Sequence, residues 1–153
     1  MKVLMVCHGN ICRSPIAHGL LEYKVEHHKL NWEVDSAGTS DEHEGEEPHR
    51  RSIACLKRHA IDISAQRSRQ ITKRDIKTFD LIYVMDNYNY RNVINLCDTE
   101  EEMQKVKMIM NELHPGEDEV VPDPYYGVDS DYEHVYQMLD KATDAIIHKY
   151  GKR

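Results

Sequence analysis

Cys7 and Arg13, separated by five residues, have types and a spacing that point directly to chemistry. The loop between them is long enough to curl around a tetrahedral oxyanion, with the sulfur beneath it and the guanidinium donating to two of its oxygens. A helix amino terminus and a nearby cation both favour a cysteine thiolate over the thiol. A thiolate beneath a bound phosphate is positioned to attack phosphorus. The spacing therefore predicts phosphoryl transfer to a cysteine.

The residues on either side of this loop predict the elements that such a site needs. The apolar run at residues 3–6 is typical of a short buried strand. Ser14 and Pro15 predict a helix start, with the hydroxyl as N-cap and proline at the first helical position. Gly9 permits close backbone approach, and Asn10 tolerates a positive φ. An anion binds favourably where a strand is followed by a tight loop and a helix amino terminus. We call residues 8–12 the anion loop.

Asp123 is the second candidate for catalysis. It lies between Pro122 and Pro124, which restrict its backbone and hold its carboxyl group in place. A phenolate leaves phosphorus poorly unless a positioned acid gives it a proton. We expect Asp123 to supply that proton and then to take one from the water that hydrolyses the phosphocysteine.

Two segments carry a specific resemblance: Gly-Asn-Ile-Cys-Arg-Ser-Pro at residues 9–15 and Asp-Pro-Tyr-Tyr-Gly at residues 123–127. Together with Cys-x5-Arg they resemble the low-molecular-weight protein tyrosine phosphatases over essentially the whole chain. The resemblance implies one domain of this kind at residues 1–153. It implies hydrolysis of phosphotyrosine and small aryl phosphates through a phosphocysteine, with inorganic phosphate as product. The catalytic residues would be Cys7, Arg13 and Asp123.

The same resemblance implies a wider set of site residues. Tyr125 and Tyr126 would line the cleft wall, where a ring stacks on the substrate's phenyl group, and Ser36 would support the anion loop through hydrogen bonds with Asn10. Relatives often have a large aromatic residue near Glu42, whereas here residues 41–47 are acidic and would disfavour acidic peptides. The predicted substrate-binding residues are His8, Gly9, Asn10, Ile11, Cys12, Ser14, Glu42, Tyr125 and Tyr126.

Cys12 allows two interpretations. A second thiol this close to Cys7 can trap oxidised Cys7 as a disulfide before irreversible oxidation. Alternatively, Cys12 is a buried cysteine of the loop. The sequence leaves both open.

Composition limits the partners of this chain. Its 153 residues suit one domain, and the net charge of −7 argues against nucleic acid. No apolar run approaches the length of a membrane span, so no membrane partner is expected. Four cysteines at irregular spacing favour reduced thiols in the cytoplasm. No metal-binding motif is present, and no cofactor is expected.

The hydrophobic pattern alternates between strands and helices. This alternation predicts an α/β fold with a four-stranded parallel sheet and helices on both faces, a flavodoxin- or Rossmann-like three-layer architecture. Ligands of such sheets bind at the carboxyl ends of the strands. The predicted strands lie near residues 3–6, 32–38, 79–85 and 106–110.

Three predicted helix starts complete this outline. Thr72 and Asp75 have the spacing of a capping box. Asp86 is expected to end the third strand and to cap the next helix, and is left out of the catalytic set. Ser130 and Glu133 predict a second capping box at the start of the C-terminal helix.

Other functions of the same fold remain open. An arsenate reductase shares the Cys-x5-Arg loop but needs two further cysteines close together, and Cys55 and Cys97 are far apart in sequence. An arginine phosphatase resembles the chain too, but carries threonine at the position of Ile11. A non-catalytic phosphate-binding module would lack Cys7, Arg13 or Asp123. For a phosphatase of this family the partner is a phosphotyrosine-containing protein, for which a bacterial tyrosine kinase of polysaccharide export is one candidate.

Overall fold

A parallel four-stranded sheet organises the computed structural model, which describes residues 1–152. The strand order is β2-β1-β3-β4, and all neighbours are parallel. The fold is therefore the predicted α/β architecture. The strands are β1 (Lys2–Cys7), β2 (Glu33–Gly38), β3 (Leu81–Val84) and β4 (Val106–Met108).

Helices connect the strands and cover both faces of the sheet. Alternate residues of β1 belong to two separate cores, because successive side chains of a strand point to opposite faces. One core packs against α1, α2 and α6, and the other against α3 and α4. The helices are α1 (Arg13–His27), α2 (Arg50–Arg58), α3 (Lys73–Thr78), α4 (Asn87–Ile94), α5 (Glu100–Met103) and α6 (Asp129–Tyr150); a 3₁₀ helix spans Ile109–Glu112.

The carboxyl ends of β1 and β2 meet at one edge, where Cys7 pairs with Gly38. A Cβ atom added to Gly38 would lie 2.7 Å from the carbonyl oxygen of His8, so only glycine fits beside the anion loop here. Asp86 follows β3 at the same edge. This edge is where a parallel sheet places its ligands.

Two of the predicted helix starts are confirmed. Thr72 accepts a hydrogen bond from the Asp75 amide at 3.3 Å, and the Asp75 carboxylate accepts one from the Thr72 amide at 2.8 Å. The Asp86 carboxylate caps α4 by accepting a hydrogen bond from the Asn89 amide at 2.8 Å.

The other two predicted starts are each wrong by two residues. Helix α1 begins at Arg13 rather than after Ser14, and no side chain caps it, because the Ser14 hydroxyl has other partners near Cys7. Helix α6 begins at Asp129, and the Asp131 carboxylate accepts the hydrogen bond from the Val128 amide. Glu133, the expected capping acid, instead pairs with the His59 ring at 2.8 Å.

Within residues 1–152, none of the helices combines the length and the apolar character that crossing a membrane requires.

Candidate active site

Cys7 is the last residue of β1 and is 3% exposed. The anion loop follows it, and Asn10 turns the chain with a φ of 56°, in the left-handed region that asparagine tolerates. The loop then enters α1 at Arg13. The predicted sequence of strand, tight loop and helix amino terminus is therefore confirmed.

The backbone carbonyl groups of the loop point away from its centre, toward the surrounding protein. Their partners are backbone amides and serine hydroxyls of neighbouring segments. By contrast, the amides of residues 8–12 find no acceptor among residues 1–152. Unpaired amides at a helix amino terminus form a binding site for an anion. The outward bonds join Thr39 N to Cys7 O (2.9 Å), Ser40 N to His8 O (3.0 Å), Ser68 Oγ to Gly9 O (2.9 Å), His49 N to Ile11 O (2.8 Å) and Ser52 Oγ to Cys12 O (3.2 Å).

A short chain of hydrogen bonds runs beneath the loop to the sulfur. The Asn10 side-chain amide donates to the Ser14 hydroxyl oxygen at 2.8 Å, and this oxygen lies 3.0 Å from Cys7 Sγ. Because Asn10 already donates to the oxygen, the Ser14 hydroxyl is free to donate its proton toward the sulfur. A hydrogen bond to a thiolate stabilises the charged form.

Arg13 projects its guanidinium across the mouth of the loop and is itself 3% exposed. Its Nη1 donates to the Asp86 carboxylate at 2.7 Å and to the Val121 carbonyl at 3.0 Å. Burial acts to lower the pKa of Arg13, but Cys7, Asp86 and Asp123 outweigh burial and raise it. The guanidinium therefore carries its charge permanently and is held in one orientation.

Asp123 reaches the same site from the segment that precedes α6. Its Oδ2 lies 3.8 Å from Arg13 Nη2, and its Oδ1 accepts a hydrogen bond from the Tyr125 amide at 3.1 Å. The Val121 amide donates to the Met85 carbonyl at 2.8 Å, which anchors this segment to the end of β3. Asp123, which is distant in sequence from Cys7 and Arg13, thus reaches the same cleft as these two residues.

With this geometry in place, comparison with known proteins decides the family. The sequence model of the low molecular weight phosphotyrosine protein phosphatase family matches residues 2–153. This chain belongs to that family. It is 42% identical over 151 residues to the human low molecular weight phosphotyrosine protein phosphatase, covering 97% of this chain and 94% of the human protein.

Solved structures of the phosphatase family superpose on nearly the whole chain. A protein tyrosine phosphatase from Entamoeba histolytica, with Hepes in its active site, gives a TM-score of 0.92 at 35% identity and covers 99% of this chain and 97% of its own. The Drosophila arginine phosphatase also gives a TM-score of 0.92, at 31% identity, and covers 99% of both chains. The fold thus accommodates phosphatases whose names differ in substrate.

The catalytic cleft of this family member has a volume of about 290 Å³. Ile11, which is 7% exposed, gives it an apolar surface. Tyr125 and Tyr126 line the cleft as predicted, with their rings edge to face at 4.8 Å. Tyr126 is 96% exposed, so its ring is available to a substrate. The cleft is lined by Cys7, His8, Gly9, Ile11, Cys12, Arg13, Glu42, His43, Asp123, Tyr125 and Tyr126.

The acidic segment contributes both Glu42 and His43 to the cleft lip. Glu42 Oε1 lies 3.9 Å from His8 Nε2, and His43 Nδ1 lies 3.0 Å from the Glu46 carboxylate. A Cβ atom added to Gly9 would lie 3.0 Å from the His43 ring. His43 was not predicted, although its position beside Glu42 in the sequence was a usable signal.

Cys12 faces the protein interior at the base of the cleft. Its sulfur lies 3.5 Å from the Tyr132 hydroxyl, and burial raises the pKa of the Cys12 thiol to about 12. At neutral pH Cys12 therefore remains a thiol. Its predicted place beside the substrate agrees with the cleft lining, and its protective role stays a prediction.

Two residues that were predicted to bind substrate, Asn10 and Ser14, lie behind the cleft instead of lining it, whereas Ser36 was expected to support the loop from behind. Asn10 and Ser14 act on Cys7 from below, as described above. Ser36 was expected to bond with Asn10, but its hydroxyl lies 2.9 Å from His18 Nδ1 on α1. The side-chain oxygen Oδ1 of Asn10 instead accepts a hydrogen bond from the Arg69 backbone amide at 3.1 Å.

Two supporting residues were missed by the sequence analysis. Asp86 was expected to cap a helix and to be structural near the site, but its contact with Arg13 was not foreseen: one oxygen caps α4 while the other binds Arg13. Its position directly after a strand that neighbours β1 was the available signal. Arg69 orients Asn10 through its backbone amide, and this contact gave no local signal because the two residues are distant in sequence.

Proposed function

We propose that this chain hydrolyses phosphotyrosine and small aryl phosphates through a phosphocysteine on Cys7. The observation that carries the proposal is the placement of the Cys7 sulfur beneath a loop of unpaired amides, with Arg13 and Asp123 on the same cleft. The amides and guanidinium hold the phosphate, and the sulfur attacks phosphorus from below.

In the first step a bond forms between Cys7 Sγ and phosphorus while the bond from phosphorus to the phenolic oxygen breaks. Asp123 donates its proton to the departing oxygen, so tyrosine leaves as a neutral phenol. Arg13 donates hydrogen bonds to the equatorial oxygens, whose charge is stabilised throughout the transfer.

In the second step water attacks phosphorus and the sulfur departs as a thiolate. Asp123, now a carboxylate, accepts a proton from this water, and inorganic phosphate is released. The Ser14 hydroxyl, 3.0 Å from the sulfur, stabilises the departing thiolate by donating a hydrogen bond. The cycle restores both residues without a cofactor.

Ile11 and the tyrosine pair favour an aryl ester over a phosphoguanidino group. An apolar side chain and an exposed aromatic ring suit a phenyl ring, which needs no hydrogen-bond partner from the wall. The guanidino N–H groups of a phosphorylated arginine need hydrogen-bond acceptors, and the apolar side chain of Ile11 provides none. The similarity to the Drosophila arginine phosphatase makes this the alternative to test.

We further propose a phosphotyrosine-containing protein as the physiological partner, acting in the cytoplasm. A bacterial tyrosine kinase of polysaccharide export is one such partner, as the family resemblance suggests. A reducing compartment suits the chemistry because Cys7 must stay a free thiol, and all four cysteines are free here.

The decisive experiment is hydrolysis of para-nitrophenyl phosphate between pH 4 and 9 by the wild type, Cys7→Ser and Asp123→Ala. We expect turnover by the wild type, none by Cys7→Ser and at least about 100-fold slower turnover by Asp123→Ala. Mass spectrometry after an acid quench should find one phosphate on Cys7. An inactive wild type, or an active Cys7→Ser variant, contradicts the proposal and favours the binding module or the reductase.

Substrate class is tested with phosphotyrosine and phosphoarginine at equal concentration. We expect phosphotyrosine to be hydrolysed with the higher kcat/KM, and Ile11→Thr to reduce that preference. A wild type that prefers phosphoarginine would support the arginine phosphatase instead.

A further inference from the structure

A second cleft lies next to the catalytic cleft, and His8 lines both. This side cleft has a volume of about 300 Å³ and is bounded by residues 39–40, which precede the acidic segment, by residues 70–71 and by helix α4 with Leu96 beyond it. Its volume is in the range that accommodates a side chain or a small ligand. Because His8 lines both clefts, the residues next to a bound phosphotyrosine are within reach of this surface.

The walls of the side cleft combine apolar and neutral polar groups. Ile71 and Leu96 provide aliphatic surface, and Tyr88, which is 59% exposed, provides an aromatic face. Asn92 and Thr39 provide neutral polar groups. Such a lining suits a side chain with a long hydrocarbon stem and a polar end.

Two polar atoms of these walls have no partner within the described residues: His8 Nδ1 and Thr39 Oγ1. Buried polar atoms without a hydrogen bond are uncommon, because each costs about as much as a lost hydrogen bond. Two unpaired polar atoms belong to residues that line the same cleft. They indicate that the cleft can offer hydrogen bonds to a ligand.

The base of the catalytic cleft and the lip around it carry opposite charges. Arg13, at the base of the catalytic cleft, is the one lysine or arginine that lines either cleft. At the lip, Glu42 has only a histidine nearby, at 3.9 Å, and its side chain is 65% exposed. Asp41 and Glu44 make no ion pair in the described part of the chain. The site is thus positive where phosphate binds and negative around its mouth.

We infer that the side cleft binds a lysine or arginine side chain adjacent to the phosphotyrosine of the substrate protein. This inference rests on the proposed function and names the substrate class more closely. The aliphatic stem packs on Tyr88, Ile71 and Leu96, and the cationic end faces Glu42 across His8. A glutamate at the same substrate position would meet an acidic lip and no cation in the side cleft.

The test uses phosphotyrosine peptides that differ only at the residue next to the phosphotyrosine, which is lysine, glutamine or glutamate. We expect kcat/KM to fall in the order lysine, glutamine, glutamate, with about a threefold to tenfold difference between the first and the last. The difference should shrink at 0.5 M salt because the lip carboxylates are exposed.

Variants separate the side cleft from general electrostatics. Tyr88→Ala and Glu42→Gln should each reduce the ratio of kcat/KM between the lysine and glutamate peptides at least about twofold. Glu26→Gln removes an equal charge about 20 Å along α1 from its amino terminus and should leave the ratio unchanged.

Failure of this inference is distinguishable from failure of the proposed function. Hydrolysis of para-nitrophenyl phosphate together with equal kcat/KM for the three peptides would overturn the side-cleft inference alone. A preference for lysine that Tyr88→Ala and Glu42→Gln leave intact would overturn it as well. Absence of hydrolysis of every substrate would overturn the proposed function.

Discussion

Buried Arg13 and partly buried Asp86 form an ion pair at the mouth of the anion loop, with 2.7 Å between Nη1 and Oδ2. The second Asp86 oxygen accepts a hydrogen bond from the Asn89 amide, so the carboxylate is fixed by α4 before it orients the guanidinium. The consequence is that the direction of Arg13 depends on a residue that follows the neighbouring strand.

Replacing Asp86 by alanine should lower kcat/KM for para-nitrophenyl phosphate about tenfold to a hundredfold. The guanidinium loses its anchor, and a small displacement of a catalytic cation is enough for a loss of this size. Asp86→Asn keeps an acceptor for both partners and should lose less. Steady-state kinetics well below the melting temperature would measure this.

A matched control separates orientation from stability. Thr99→Ala removes the N-cap of α5, where the threonine hydroxyl accepts a hydrogen bond from the Glu102 amide at 3.1 Å. Thr99 does not contact Arg13. Both alanine variants should lose about 1 kcal/mol of unfolding free energy. Equal activity losses in the two would contradict the orienting role of Asp86.

Ser14→Ala should slow the second chemical step more than the first. The departing Cys7 thiolate loses its hydrogen bond from the Ser14 hydroxyl, and a hydrogen bond to a charged group contributes about 1.5–3 kcal/mol. We therefore expect kcat to fall by about tenfold or more and a burst of para-nitrophenol to appear in rapid-mixing experiments. Ser14→Thr keeps the hydroxyl and serves as the control. An unchanged kcat in Ser14→Ala without a burst would exclude this role.

Asp75 should make stability depend on pH in acid. Burial acts to raise the pKa of Asp75, but hydrogen bonds from Arg69 and the Thr72 amide outweigh it and lower the pKa. The folded protein therefore binds fewer protons than the unfolded chain. This stabilisation is complete above the unfolded pKa, near 3.9, and is lost as the pH falls through the folded value.

Asp75→Asn should accordingly destabilise the protein at pH 7, by about 1–3 kcal/mol, and should destabilise it less at pH 3. Urea unfolding at the two pH values would measure the difference. Asp98→Asn, which removes an exposed carboxylate paired with Lys73 and Lys77, is the control and should change stability little at either pH. An equal loss at both pH values in Asp75→Asn would contradict the prediction.

Cys12 should resist alkylation while the protein is folded. With a pKa of about 12, caused mainly by burial, its thiolate is scarce at pH 8, and its side chain is shielded from reagent. In Cys7→Ser, iodoacetamide at pH 8 should leave Cys12 unmodified, as read by peptide mass spectrometry. Rapid labelling of Cys12 in the folded variant would show that its surroundings are more open than described. Unfolding in urea should expose it to reagent and serves as the control.

Local patterns were sufficient to predict the fold and the centre of the site. Buried strands, the turn with Asn10 and the Thr72 capping box depend on residues close together in sequence, and each was found where expected. A predicted helix start was wrong where the expected capping side chain formed hydrogen bonds with other residues instead. Ser14 is a good N-cap by type, but its hydroxyl bonds with Cys7 and Asn10, and α1 starts two residues earlier than predicted.

The sequence alone determined the chemical groups of the site: a cysteine and an arginine at fixed spacing, and an aspartate between two prolines. Its alternation of strands and helices also determined that the strand ends meet at one edge of the sheet. Only the tertiary structure decided which residues hold these groups in place. Asp86 on Arg13, Arg69 on Asn10 and His18 on Ser36 are contacts between separate elements. Such contacts depend on how strands and helices pack, and a residue's own type and neighbours do not specify its distant partner.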